Sequence, residues 1–240
     1  MTEPFRRRED DALRSFQEAL LPRKLDHCAY VDVAAAFRPA AGEVVGGDFH
    51  EVIQSQGREV LVIGDVTGHG VPAALVMAML FGAIHEAFRF ERHACQVLDD
   101  LHELLADLGA RSGGPLLFSA TVFIAVIGPD GTLAHAGAGH SAPLLYRAGK
   151  APVALASKTP PLGFVEPKAC TEDVVQLAPG DRLLLYTDGV LTEGGLDALA
   201  SRLARLEHQS PDAIVRGIVS EGAEDDRTAV FVTYTGKDCS

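Results

Sequence analysis

Residues 118–138 read FSATVFIAVIGPDGTLAHAGA, two apolar runs meeting across Gly128-Pro129-Asp130-Gly131. Phe118–Ile127 and Thr132–Ala138 have the composition of strands, and a Gly/Pro/Asp turn between such runs signals an antiparallel hairpin. Downstream the pattern continues in short strands, Leu144–Tyr146, Val153–Ala156, Val174–Leu177 and Arg182–Tyr186, with turns at Ala148-Gly149-Lys150 and Ala178-Pro179-Gly180-Asp181. Thr228–Tyr234 is a last strand. Upstream, Val33–Arg38, Phe49–Ser55 and Glu59–Val66 are strand-like, and Glu59–Val66 is apolar on both faces, as a strand between two layers must be.

Helical periodicity occupies the gaps. Pro72 suits a first helical turn, and an apolar helix follows to about Phe88. Ala94–Leu108 carries Val97, Leu98, Leu101, Leu104, Leu105 and Leu108 as one stripe. Leu196–Leu206 and Pro211–Ser220 are short helices, the second with Ser210 as N-cap. Asp10–Leu21 reads as a helix with Leu13, Phe16 and Leu20 on one face, stopped by Pro22, behind a frayed polar stretch 1–9. Strands joined by hairpins, with helices between groups of strands, predict an α+β fold: two antiparallel β-sheets in a sandwich flanked by α-helices, not a doubly wound parallel sheet. The expected organisation is a tail and short linker-type helix over 1–24, one domain over 25–236 and a C-terminal tail over 237–240.

The chain has 240 residues, 47% hydrophobic and 22% charged, enough apolar material for a sizeable core. Its net charge of −12 opposes neutralisation of a phosphate backbone, so no nucleic-acid partner is expected. Cys28, Cys95, Cys170 and Cys239 show no paired spacing, which predicts reduced thiols in a cytoplasmic protein rather than disulfides or a zinc knuckle. The charged N-terminus lacks a signal-peptide core, and the longest apolar run, Val71 to Ile84, is 14 residues and contains Pro72, too short to span a bilayer. No membrane partner is expected.

Four places set an acid at a strand end beside glycine or another acid: Gly46-Gly47-Asp48-Phe49, Gly64-Asp65-Val66-Thr67-Gly68-His69-Gly70, Tyr186-Thr187-Asp188-Gly189 and Glu224-Asp225-Asp226-Arg227-Thr228. Singly, an Asp before Gly is usually a turn residue. Together they offer carboxylates on rigid platforms, which repel one another unless hard divalent cations hold them.

On these residues the sequence resembles the bacterial branch of the metal-dependent PP2C-type (PPM) protein phosphatases, the group of the stage II sporulation phosphatase and the stress-response phosphatases acting on anti-sigma-factor antagonists. The similar stretches are residues 37–52, 60–80, 118–127, 136–146, 159–164, 177–193 and 224–232, in the family's order, and cover about Leu20 to Tyr234. The resemblance implies a protein serine/threonine phosphatase with two Mn²⁺ or Mg²⁺ ions. Their implied ligands are Asp48, Asp65 as the bridging carboxylate, the backbone carbonyl of Val66, Asp188 and Asp225, with Asp226 the neighbour that could take Asp225's place. It further implies attack on a phosphoserine or phosphothreonine by a hydroxide bridging the ions, with His69 a candidate acid that could equally just position its turn. The implied substrate is a phosphorylated regulator such as an anti-sigma-factor antagonist. A separate activator acting on the N-terminal helix, and a homodimer, are further implied partners.

Several departures accompany the resemblance. The first motif ends in His50-Glu51 instead of Tyr-Asp; Glu51 keeps a carboxylate, and His50 reads as a packing residue rather than an added ligand. The arginine that eukaryotic relatives use to grip phosphate is absent from Val44-Val45-Gly46-Gly47. Gln17-Glu18-Ala19-Leu20-Leu21-Pro22 resembles the helix that joins a sensor domain to the phosphatase domain, though packing on its own domain explains it as well. Ser119, Thr121 and the AGAGHS turn ending in His140-Ser141 read as structural, and His85, His93, His102 and His135 share no metal-binding spacing. A catalytically inactive phosphatase-like binding module is the alternative function; a nucleotide cyclase lacks its acidic pair here.

Overall fold

In the computed structural model, which describes residues 3–21, 30–112, 118–163, 169–191, 194–206, 208–220 and 224–236, the Gly128–Gly131 turn joins β4 (Ala120–Ile127) to β5 (Thr132–Ala138) as an antiparallel hairpin. Gly131 takes φ 80°, and the Gly128 N–H donates to the Thr132 carbonyl at 2.8 Å. The other strands are β1 (Val31–Arg38), β2 (Phe49–Ser55), β3 (Arg58–Val66), β6 (Leu144–Tyr146), β7 (Val153–Ala154), β8 (Asp173–Gln176), β9 (Arg182–Tyr186) and β10 (Arg227–Tyr234). They form two five-stranded antiparallel sheets, in the orders β1-β10-β9-β6-β7 and β2-β3-β4-β5-β8. The helices are α1 (Glu3–Leu20), α2 (Gly70–Ala87), α3 (Ala94–Ser112), α4 (Gly195–Leu206) and α5 (Pro211–Ile218). The α+β sandwich expected from the hairpins is the architecture found.

The two-residue period of β3 builds the layers. Val60 and Val62 face α2 and α3, where they join Met77, Leu80, Leu98 and Leu101. Leu61 and Ile63 face the other sheet, where they join Phe123, Leu183, Leu185, Val230 and Val232. The far side of that second sheet is covered by α4 and α5 through Leu199, Ile214, Val215 and Ile218. Helix α5 begins as read, with the Ser210 side chain accepting from the Ala213 N–H at 3.3 Å and Pro211 in the first turn.

Four readings change. Helix α1 begins at Glu3, so residues 3–9 are helical instead of frayed. Its inward face carries Gln17 at 3% exposure, while Phe16 is 59% exposed. Gln17 wins that place because it satisfies both backbone groups of Gly46, accepting at 3.0 Å and donating at 2.8 Å. Cys95 and Cys170 form a disulfide between α3 and the approach to β8, which removes the cysteine argument for a reducing compartment. A separation of 75 residues gave no local sign of that pairing. Finally, α2 as a whole is 18 residues long, which makes it the one helix among the described residues long and apolar enough, by length and composition, to cross a membrane. Here it lies on the sheet with Ala73, Val76, Met77, Leu80 and Ile84 buried. Pro22, Cys28, Thr192-Glu193, Phe164, Cys239 and the 237–240 tail lie outside the described residues.

Antiparallel pairing then gathers the acidic motifs. Phe49 pairs with Gly64, which sets the start of β2 beside the end of β3. Ala229 pairs with Tyr186, which sets the start of β10 beside the end of β9. Because β10 also meets β2, all four motifs arrive at one end of the sandwich.

Candidate metal centre

Asp48, just before β2, is 1% exposed, and its Oδ2 accepts from Thr187 Oγ1 at 2.7 Å and Thr228 Oγ1 at 2.8 Å. Asp65, near the end of β3, is half-buried opposite Thr121. Asp188 opens a 3-10 turn (Asp188–Val190) and is exposed, as is Asp225. Asp48 and Asp65 feel the neighbouring acids. Burial, then the charge of Asp65, raises the Asp48 carboxyl well above its ordinary range, with Asp226 adding to it. Burial pushes Asp65 up to about 7, with Asp188, Asp225 and Asp226 contributing. The sequence-predicted acids therefore converge. Among the described residues no group of three or more His, Cys, Asp or Glu stands close enough together to hold a metal ion by itself. Crowded carboxylates without a cationic partner are the donor set such an ion neutralises, so the residues fit Mn²⁺ or Mg²⁺.

The structure separates Asp225 from Asp226. The Asp226 carboxylate is 1% exposed and points away from solvent into the protein's own backbone. It accepts from the Ala40 N–H at 2.8 Å and the Gly47 N–H at 2.7 Å. Asp225 faces outward and accepts from the Asp226 N–H at 2.8 Å. Asp225 is thus the more exposed of the two, and Asp226 ties the loop that carries Asp48. This explains the double glycine: a Cβ on Gly46 would collide with the Asp226 carboxylate, and one on Gly47 would sit 2.7 Å from the Val66 carbonyl oxygen. The Val66 carbonyl is thereby placed against the residue preceding Asp48.

His69 caps α2 with extended backbone, and its Nδ1 lies 2.9 Å from Glu43 Oε1. Its side chain is 63% exposed and faces the loop that leads to Asp48. His50 is buried at 2% and lines a small cavity of about 90 Å³ with Arg14, Gln17 and Phe37, under α1. Glu51 is buried at 9%, accepts from the Val52 N–H at 3.1 Å, and is pushed by burial up to about 7. The charges Asp48 feels are those of Asp65 and Asp226.

Residue types alone missed the supporting polar groups. Thr121 Oγ1 lies 2.8 Å from His140 Nδ1, and burial lowers His140 to about 3, so the ring is neutral. Ser119 Oγ and Thr67 Oγ1 are 2.6 Å apart. The available signal was a polar residue in an otherwise apolar strand end, directly beside or opposite a candidate ligand.

Two antiparallel sheets with flanking helices, and acids gathered at one end, define a domain of the PP2C phosphatase fold. The chain belongs to the Stage II sporulation protein E (SpoIIE) family, whose family model matches residues 55–235. It is 28% identical over 202 residues to Protein IcfG of Synechocystis sp., covering 74% of this chain and 31% of that protein. It is 27% identical over 192 residues to phosphoserine phosphatase RsbU of Bacillus subtilis, covering 78% of this chain and 55% of that protein. The chain thus spans about a third and about half of the curated relatives it matches. Among solved structures, the RsbU and RsbW domains of Rv1364c from Mycobacterium tuberculosis superpose with TM-score 0.76 at 24% identity, over 91% of this chain and 64% of that one. The catalytic domain of the serine threonine protein phosphatase PstP, in complex with 2 manganese ions, gives TM-score 0.67 at 16% identity, over 87% and 100%.

Proposed function

We propose that this protein is a metal-dependent protein phosphatase that hydrolyses phosphoserine or phosphothreonine on a regulatory protein, in the manner named for its relative RsbU. The observation that carries the reading is that the pairing of β2 with β3 and of β9 with β10, with β10 against β2, brings the motifs of Asp48, Asp65, Asp188 and Asp225 to one end of the sandwich. When bound there, divalent cations supply a water of lowered pKa and screen the charge of a phosphate. The chain's own part is positional. In this reading Asp65, whose carboxyl feels the charges of Asp188, Asp225 and Asp226 and adds its own to Asp48, is the shared carboxylate. The Val66 carbonyl adds an oxygen beside it. In this reading His69, whose Nδ1 lies 2.9 Å from Glu43 Oε1, hands a proton to the departing alkoxide. The substrate in this reading is an anti-sigma-factor antagonist, with an activator acting through α1 and a homodimer as the working assembly.

The test is phosphate release from p-nitrophenyl phosphate and a phosphoserine peptide, with and without Mn²⁺, for wild type and Asp65→Ala. Metal-assisted charge stabilisation of several kcal/mol corresponds to a loss of roughly 10²–10³-fold in the variant. Wild-type protein with no Mn²⁺-dependent release would leave the inactive binding module as the better reading.

A further inference from the structure

Thr187 and Thr228 are each 0% exposed, yet both carry a hydroxyl into the interior beside a candidate ligand. A polar group buried to that degree persists only where it is bonded. Asp48 introduces the edge strand β2 of one sheet, whereas the threonines stand at adjoining ends of β9 and β10 in the other. Both hydroxyls converge on one oxygen, Asp48 Oδ2, at 2.7 and 2.8 Å. The direction of the first bond is settled by a third: the Thr228 N–H donates to Thr187 Oγ1 at 2.9 Å, so the Thr187 hydroxyl proton is left for Asp48. The Thr187 N–H in turn donates to the Thr228 carbonyl at 3.1 Å, which closes a ring between the two strand ends.

We propose that Thr187 and Thr228 are positioning residues: together they clasp Asp48 Oδ2 across the two sheets, so that Asp48 presents Oδ1 to a divalent cation. The proposal rests on the cation-binding reading of this site. Its physical basis is that a carboxylate already fixed by donors binds an ion without losing rotamer freedom, and that partners behind a ligand set its direction. A two-hydroxyl grip on one oxygen also opposes bidentate coordination by Asp48.

The experiment is calorimetric titration of the full chain with Mn²⁺, at a temperature well below unfolding, for wild type, Thr187→Val, Thr228→Val and the Thr→Ser counterparts. Valine keeps the shape and removes the hydroxyl; serine keeps the hydroxyl. The expected result is Mn²⁺ affinity weakened by roughly 10–100-fold in each valine variant and recovered in each serine variant. Should a valine variant fail to fold, Thr187→Ala against Thr187→Ser asks the same question at a single site. Valine variants that lose thermal stability while binding Mn²⁺ as tightly as wild type overturn the proposal and leave the cation reading standing. Wild-type protein that binds no Mn²⁺ overturns both.

Discussion

Asp225 and Asp226 are adjacent and chemically identical but stand in opposite environments, one exposed and one buried. Asp226 is enclosed by the amides of Ala40 and Gly47, while Asp225 stays at the surface within reach of Asp65's field. Glu51 shows the same dependence on surroundings. It keeps the acidic character of its motif, but its strand position buries it and raises its carboxyl from 4.5 to about 7. A raised folded-state pKa means that the folded protein favours the protonated acid. That contribution to stability is complete below about pH 4.5 and is lost as pH rises through 7. Glu51→Gln is neutral throughout, so its melting temperature should exceed that of wild type at pH 8 and approach it near pH 4.5. Each kcal/mol gained corresponds to roughly 2–4 °C for a chain of this size. Thermal scans of both proteins across that range check this, and a pH-independent difference would contradict it.

Among the elements, α1 holds an unusual position. It crosses the open edge where β1 and β2, the edge strands of the two sheets, come together, as the small cavity lined by Arg14, Gln17, Phe37 and His50 records. A buried polar anchor of α1 is the pair of bonds from Gln17 to Gly46, two residues before Asp48. Gln17→Ala leaves both Gly46 groups buried without that partner, a cost of about 1–3 kcal/mol. Hydrogen exchange should show the Gly46 and Gly47 amides losing protection while β3 is unchanged; retained protection would show that α1 does not hold the loop. The β2–β3 connection is a contrasting local device. Gln56 and Gly57 take φ 52° and 71°, the left-handed pair that a two-residue hairpin needs, so its register is set within the turn itself.

At the scale of the whole molecule, the Cys95–Cys170 disulfide closes a loop of 75 residues. Chain-entropy arguments for a loop of that length give about 4 kcal/mol, or roughly 8–16 °C in melting temperature. Cys170→Ser, or wild type in a thiol reductant, should melt lower by that order. Mass spectrometry after alkylation should find two fewer modified cysteines in the oxidised protein than in the reduced one. Equal alkylation in both would show that the bond does not form in solution.

Most element positions, the antiparallel class and the four acidic motifs are legible in the residue order alone. These properties are local: alternation in Glu59–Val66, the Gly128–Gly131 turn, Pro211 after Ser210, and carboxylates beside glycine at strand ends are each written within a few residues. The remaining choices are relational and emerge with folding. Which of two neighbouring aspartates faces solvent, that Gln17 outranks Phe16 on α1, that Cys95 finds Cys170, and that two threonines from one sheet hold an aspartate of the other all depend on groups many residues apart. Packing burial and hydrogen-bond satisfaction fix those choices, and neither is a property of the chain until the two sheets have closed on each other.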